Sequence, residues 1–420
     1  MIQDNQSLIH EIRDRFANVE ACPIEGPRVY FENGGGALTL KSVIETSAKY
    51  AGIPDNQGRD NPAAKALEAT IEKARTDLAV FMNSHSGQFI LGETGTELLF
   101  RMIKVACLNA PKGAKVIGSS LEHPSSRSAA QHWAGVTGME YVSVAHDDVE
   151  GTVTASHYAA QMTPDVAVAT ILHASPVTGI GVDVAAIAAA IRAVSPDCVI
   201  IVDGIQHAAH GQVDLAAYDI DGYAISPYKM FSRHGYGVAW ISDKLTSFSH
   251  EALIGGPIRN WELGTRDTGA FAAISDVIAY FDWLGGNVSD EVAPRKRLEA
   301  AGAAIKSYEM TLTDSLINGT GNLMGLRDMD RITILGGADN QHREGTVSFV
   351  IDGVASADVV ATLNKERVRT HMRKADHYSG NILYPLDLPD CVRLSMCHYN
   401  TIQEVAQALA VIQHICEAAG

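Results

Sequence analysis

Between about residue 85 and residue 245, short apolar runs alternate with helical stretches. A chain with that alternation builds a mainly parallel sheet, because parallel neighbours need a connection long enough to hold a helix. The candidate strands are 114–119, 139–145, 166–173, 198–203, 222–226 and 237–241. Most of them are continuous apolar runs, which is what a strand covered by helices on both faces requires. Helical stretches at 125–134 and at the alanine-rich 184–194 lie between them, and Ser195-Pro196-Asp197 stops the second before the next strand begins. The fold class is therefore α/β. After 241 come a loop rich in Gly and Pro (Gly255-Gly256-Pro257), a helix over 270–284 and a Gly285-Gly286 pair expected to act as a hinge. Helix from 300, strand 346–351, helix 356–365, strand 392–395 and helix 402–418 then predict a smaller α+β domain. The expected division is an N-terminal segment 1–45 packing with the small domain, a large domain 46–285 and a small domain 286–420.

Composition narrows what such a fold can serve. With 46% hydrophobic and 20% charged residues, the 420-residue chain has the make-up of an ordinary globular protein. Its net charge of −16 repels nucleic-acid phosphates and anionic lipid, and no basic patch offsets it, so neither nucleic acid nor membrane is an expected partner. No apolar run reaches the roughly 18 residues of a membrane span, and the stretch from Met1 to Arg13 is unlike a targeting peptide, so a cytoplasmic protein is expected. The six cysteines are scattered and form no C-x-x-C pair, which argues against a zinc ribbon or a disulfide framework. Dinucleotide and P-loop glycine patterns are absent. His250-Glu251 lacks a second histidine and His207 with His210 has no third ligand at a recognisable spacing, so no metal is expected.

In open α/β sheets ligands bind at the carboxyl ends of the strands, so the polar residues following each apolar run carry the chemistry. In chain order these are His123, Asp203 with Gln206, and Ser226 with Lys229. An acid ending a buried strand must find a cation or shift its pKa, and Lys229 offers an amine near the neighbouring strand end. On spacing alone the simpler expectation is an ion pair. The alternative is that the amine forms a Schiff base with an aldehyde cofactor while the carboxylate keeps that cofactor's pyridine nitrogen protonated.

The segment Val202-Asp203-Gly204-Ile205-Gln206-His207, followed by Ile225-Ser226-Pro227-Tyr228-Lys229, resembles the cofactor signature of the class V aminotransferase and cysteine desulfurase-like superfamily. Glu122-His123, Thr94-Gly95-Thr96-Glu97, Glu262-Leu263-Gly264-Thr265 and Val392-Arg393-Leu394-Ser395 with Tyr399-Asn400-Thr401 are similar to further blocks of that family, in the same order. The resemblance implies a fold type I enzyme dependent on pyridoxal 5'-phosphate, with a large domain of mainly parallel sheet. Lys229 would carry the cofactor, Asp203 would hold its ring nitrogen, His123 would cover the ring and Gln206 would donate to its phenolic oxygen. Gly95 and Thr96 at a helix start, with Ser226 and Tyr228, suit the phosphate. Thr265 would reach the phosphate of a partner subunit, implying a homodimer, and Arg393 would hold the carboxylate of a small amino-acid substrate.

Three departures from the family pattern bear on the reaction. Tyr228 replaces the usual histidine before the lysine, and Pro176 stands where an asparagine often touches the substrate. The segment 369–383, where desulfurases carry a nucleophilic cysteine, contains none. Persulfide chemistry on a loop cysteine is therefore not expected, and Cys391 and Cys397 are read as small buried hydrophobes. That segment instead holds Arg369, His371, Arg373 and His377, read as a solvated surface, with binding of a second acidic group of the substrate as the alternative. Arg343 is a further anion-site candidate. The expected activity is that of a class V aminotransferase, with a C–S lyase, desulfurase-like enzyme or racemase as alternatives. The intact Asp203, Gln206 and Lys229 set aside a non-catalytic relative.

Overall fold

The computed structural model describes residues 2–419. At its centre lies a seven-stranded sheet of β1 (Gln88–Gly92), β2 (Lys115–Ser119), β3 (Glu140–Val144), β4 (Val166–Leu172), β5 (Val199–Asp203), β6 (Gly222–Ile225) and β7 (Gly237–Ile241). The spatial order is β1-β7-β6-β5-β4-β2-β3, and only β7 runs against the others, pairing antiparallel with β1 and β6. All six strands expected from the apolar runs are present, each within one residue at either end. β1 is an addition: its apolar core is only Phe89-Ile90-Leu91, too short to stand out as a run.

The longer helices are α1 (Gln6–Arg15), α2 (Lys41–Ala51), α3 (Pro62–Phe81), α4 (Gly95–Leu108), α5 (Pro124–Thr137), α6 (Val184–Val194), α7 (Thr268–Val288), α8 (Pro294–Asn318), α9 (Ser356–Lys365) and α10 (Ile402–Ala418). Two hydrophobic clusters, one on each face of the sheet, bury β4, β5 and β6 completely apart from Ala167. The Gly285-Gly286 pair is not a hinge. It lies inside α7, and a Cβ on Gly285 would stand 2.0 Å from the Arg297 carbonyl oxygen, so the missing side chain lets α7 and α8 cross closely. The chain turns at 289–293 instead.

The C-terminal region forms a second, four-stranded antiparallel sheet of β8 (Ile332–Ile334), β9 (Thr346–Ile351), β10 (His371–Lys374) and β11 (Asp390–Ser395), in the order β8-β9-β11-β10. β10 runs through the segment read as a solvated surface, in which no strand is expected because His-Met-Arg-Lys offers no apolar alternation. α9 contacts β10 and β11. From the other side, Ser348 Oγ and Arg393 Nη1 donate to the Val177 and Pro176 carbonyls of the large-sheet region. The N-terminal segment threads between the two parts. Val29–Tyr30 pairs in parallel with Val368–Arg369, Ser395 N donates to the Phe31 carbonyl (2.8 Å), and Ala37 N donates to the Tyr228 carbonyl (3.1 Å).

Candidate active site

β1, β2, β4, β5 and β6 all point their carboxyl ends at one edge of the large sheet, and the polar residues that follow them meet there. A pocket at that edge is lined by Thr96, His123, Asp203, Gln206, Ser226, Tyr228 and Lys229, together with Pro176. Residues separated by more than a hundred positions in sequence are thus brought together as the strand-end argument requires.

Each is held for a local reason. Thr94 Oγ1 accepts from the Glu97 N–H (3.0 Å) and caps α4, leaving Gly95 and Thr96 in its first turn with the positive end of the helix dipole. A Cβ on Gly95 would lie 2.5 Å from Ser226 Oγ, so only glycine lets the β6 hydroxyl stand at that helix start. His123 caps α5: its Nδ1 accepts from the Ser125 N–H (3.2 Å) and lies 2.6 Å from Ser125 Oγ. Burial pushes its pKa down to about 3, helped by the positive charges of Lys229, Arg373 and Arg127, so the imidazole is neutral at pH 7. Tyr228 stacks on His234 with ring centroids 4.4 Å apart.

Asp203 ends β5 almost wholly buried, accepting from the Ile205 N–H (3.1 Å) and Ser125 Oγ–H (3.3 Å). Burial raises it to about 6, while Ile205, Lys229 and Ser125 pull the other way. The ion pair with Lys229 expected from spacing is absent among the described residues; Lys229 Nζ donates instead to Gln206 Oε1 (3.2 Å). Burial lowers the amine to about 7, and Arg393 and Arg373 add to that against the opposing Asp203 charge. A buried lysine half neutral near pH 7 is a nucleophile and a proton carrier, and a buried aspartate facing the same pocket needs a cationic partner that the protein does not supply.

Arg393 lies on β11 behind Pro176, buried, with Nη1 donating to the Pro176 carbonyl (2.8 Å). Its Nε is buried without a partner, so one donor of the guanidinium is left unsatisfied by the protein. Burial and Arg373 lower its pKa to about 10, which still leaves it charged. Arg343 does not form an anion site. Its guanidinium is buried against the carbonyls of Thr178, Thr346, Leu335, Gly336 and Gly337, clamping the loops together. Cys391 and Cys397 are buried as expected; burial pushes Cys391 up to about 12 and Cys397 well above the usual thiol range, which makes both inert. Thr265 does not line the pocket; it sits in an exposed loop, its Oγ1 accepting from Asn56 Nδ2 (3.4 Å).

Several residues at the site escape strand-end reasoning. Glu122 is buried, hydrogen-bonded by Ser126, and pushed up to about 8 by burial, so it is mostly uncharged at pH 7. Asn33 to Gly36 pass between the small sheet and Tyr228; a Cβ on Gly34 would stand 3.2 Å from Arg393 Cζ and 3.3 Å from Ser395 Oγ. The run of three glycines after Asn33 was the available signal. His210, Glu309 and Cys397 also converge, away from the pocket, where His210 Nδ1 and Glu309 Oε2 are 2.6 Å apart as a buried ion pair.

Residues 29–408 match the family model for the class-V aminotransferases. The chain belongs to the class V aminotransferase family. Members of this family are pyridoxal-phosphate enzymes, and the residues at the sheet edge fit that cofactor: a buried amine held by Gln206 with no carboxylate partner among the described residues, a buried carboxylate, and a helix start cleared by Gly95. The class V chain is 25% identical to a cysteine desulfurase-like protein, ustD, of Aspergillus flavus over 90% of its length and 85% of that protein. It is also 25% identical to a probable cysteine desulfurase of Xylella fastidiosa, over 94% of its length and 92% of that protein. Among solved structures, it matches a cysteine desulfurase of Thermococcus onnurineus (TM-score 0.80, 20% identity, 93% of this chain and 95% of that one). It matches the Escherichia coli cysteine desulfurase CsdA equally well (TM-score 0.79, 20% identity, 99% of this chain and 100% of that one). Among the described residues no helix is long and apolar enough to cross a membrane.

Proposed function

We propose that this class V enzyme acts on the amino group of a small amino acid and ends in transamination, with Lys229 as both cofactor anchor and proton carrier. The observation that carries the reading is the Lys229 amine, buried and lowered to about 7, in a pocket with Asp203, Gln206 and a neutral His123 but no thiol. When bound, pyridoxal phosphate supplies an electron sink for the bond broken at the substrate's α-carbon. Asp203 would keep the ring nitrogen protonated, Gln206 would steady the phenolic oxygen, and Gly95, Thr96, Ser226 and Tyr228 would receive the phosphate. With the cofactor bound, Lys229 would move a proton at the α-carbon, and Arg393, with its unsatisfied Nε, would orient the carboxylate.

The second reading, a desulfurase-like lyase, is favoured by the names of its relatives. It would need a thiol acceptor other than Cys391 and Cys397, which are buried and hard to ionise. Adding amino acids to the cofactor-loaded protein without a keto-acid acceptor separates the two. One keto acid per site with loss of the yellow colour supports transamination; colour that persists while product accumulates over many turnovers overturns it.

The reading includes a homodimer in which Thr265 reaches the neighbour's phosphate. Thr265 follows an exposed loop on which Leu253, Ile254 and Ile258 are largely uncovered, a surface that a second subunit would bury. A monomer with full cofactor binding in sedimentation would rule this out.

A further inference from the structure

The polar face of the small sheet carries more positive charge than one α-carboxylate needs. Side chains alternate along a strand, and the β10–β11 register sets His371 opposite Arg393 and Arg373 opposite Cys391, so His371, Arg373 and Arg393 share one face. That face meets the pocket, since Arg393 is bonded to Pro176 and Pro176 lines it. Burial, with Arg393 and Arg373 beside it, lowers His371 to about 4, so it is neutral at pH 7 and the positive charge on this face is that of the two arginines; Glu32 lies 3.3 Å from His371. Arg373 has no carboxylate partner among the described residues. Its Nε donates to Ser379 Oγ (2.8 Å), and both terminal nitrogens carry no protein bond. Nearby Asp376 is exposed and caps its own turn, accepting from the Tyr378 N–H (2.8 Å).

Arg373 is tied to the catalytic end of the pocket by its neighbours. Its Cζ is 5.9 Å from the Tyr378 ring, and that ring lies 6.2 Å from the ring of His123. The turn that carries Tyr378 is anchored over the ends of β2 and α5, with Asn381 Nδ2 donating to the Ser120 carbonyl (2.7 Å) and Arg127 Nη2 to the His377 carbonyl (3.4 Å). The segment expected to be a solvated surface is therefore divided. His377 is exposed and Arg369 is paired with Glu25, whereas His371 and Arg373 are partly buried. Both Lys229 and His123 feel the Arg373 charge.

We infer that Arg373 is a specificity residue that binds a second anionic group on the substrate, so that the enzyme's amino acid has a carboxylate side chain. The inference rests on the reading of the pocket as a pyridoxal-phosphate amino-acid site and adds the substrate class. Arg393 takes the α-carboxylate and the free Nη groups of Arg373 take the side-chain acid, each as a charge-assisted hydrogen bond. A hydrogen bond to a charged group corresponds to a preference of about 10- to 100-fold over the isosteric amide, whose NH2 cannot accept.

The test is a titration of the holoenzyme, followed by cofactor absorbance, with L-aspartate, L-glutamate, L-asparagine, L-glutamine and L-alanine. One of the two acids is expected to bind about 10- to 100-fold more tightly than its own amide, and which one it is reports the distance between the two arginines. Arg373→Gln should abolish that ratio and weaken alanine far less than the acid, while Arg373→Lys should keep part of the ratio. A melting temperature and far-ultraviolet circular dichroism like the parent's in both variants would show that folding is intact. If acids and amides bind alike in the parent, or if Arg373→Gln weakens alanine as much as the acid, the second anion site does not exist. If no amino acid changes the spectrum, the proposed function fails first and this inference with it.

Discussion

The two walls of the pocket are built on different principles. On the large-sheet wall the ionisable groups are held by neutral hydrogen-bonding partners, and Asp203 still awaits a cation. Asp203 is held by Ser125 and the Ile205 amide, Lys229 by Gln206, and His123 is kept neutral. On the small-sheet wall Arg393 and Arg373 stand with open donors and no carboxylate partner among the described residues. Buried unpaired charge destabilises a fold, so its retention on the small-sheet wall marks where an anion from outside completes the structure. The large-sheet wall is preorganised for a resident cofactor, and the small-sheet wall for a ligand that comes and goes.

Breaking the large-sheet wall should have the larger effect. Lys229→Ala is expected to remove the protein-linked cofactor absorbance and lower turnover by at least about 10³-fold; a native band in that variant would refute the cofactor role of Lys229. Asp203→Asn keeps shape and hydrogen-bonding capacity but removes the charge. It should still retain cofactor after gel filtration while kcat falls about 10²- to 10³-fold, and a fall below tenfold would show that the buried carboxylate is structural.

These two residues were also the most legible in the sequence, for a physical reason. A buried parallel strand leaves an apolar run with one polar residue at its carboxyl end, so Asp203 and Ser226 are marked by pattern alone, with His123 and Lys229 a few residues beyond such an end. The small-sheet wall leaves no such trace. β10 is a short edge strand without apolar alternation, and Arg373 reaches the pocket only because β11 sets its register. Glu32 and Gly34 arrive from the other end of the chain through pairing with Val368–Arg369. Long-range pairing of short segments has no local periodicity, so it is invisible to pattern. Gly285 shows the same limit from the other side: a glycine pair has one appearance in sequence whether it frees a hinge or lets two helices cross.

Gly34→Ala tests the second wall with a smaller push. The new methyl would press on the Arg393 guanidinium at 3.2 Å and on Ser395 Oγ at 3.3 Å, displacing the fork by a few tenths of an ångström. KM for the amino acid should rise between about 10- and 100-fold, with cofactor content and kcat changed much less. Equal losses in kcat and cofactor content would mean that the N-terminal segment supports the whole pocket rather than its substrate side.

The smallest effect expected concerns stability alone, and it distinguishes the walls by pH. Glu122, beside His123 and Asp203, has its pKa raised to about 8 by burial. A carboxyl protonated in the fold and ionised when unfolded favours the unfolded state as pH climbs from its ordinary value of 4.5 to about 8. Its contribution is fully retained below that range and lost across it. Glu122→Gln removes the titration while keeping the shape and a donor to the interior. The melting temperature of the apoprotein variant should therefore match the parent near pH 4.5 and exceed it progressively toward pH 8, by a few degrees. Arg373→Gln, on the other wall, should leave that pH slope as it is, since its guanidinium stays charged throughout the range. A parent and Glu122→Gln pair with parallel pH profiles would mean that Glu122 is ionised in the fold, a second buried carboxylate charge close to Asp203.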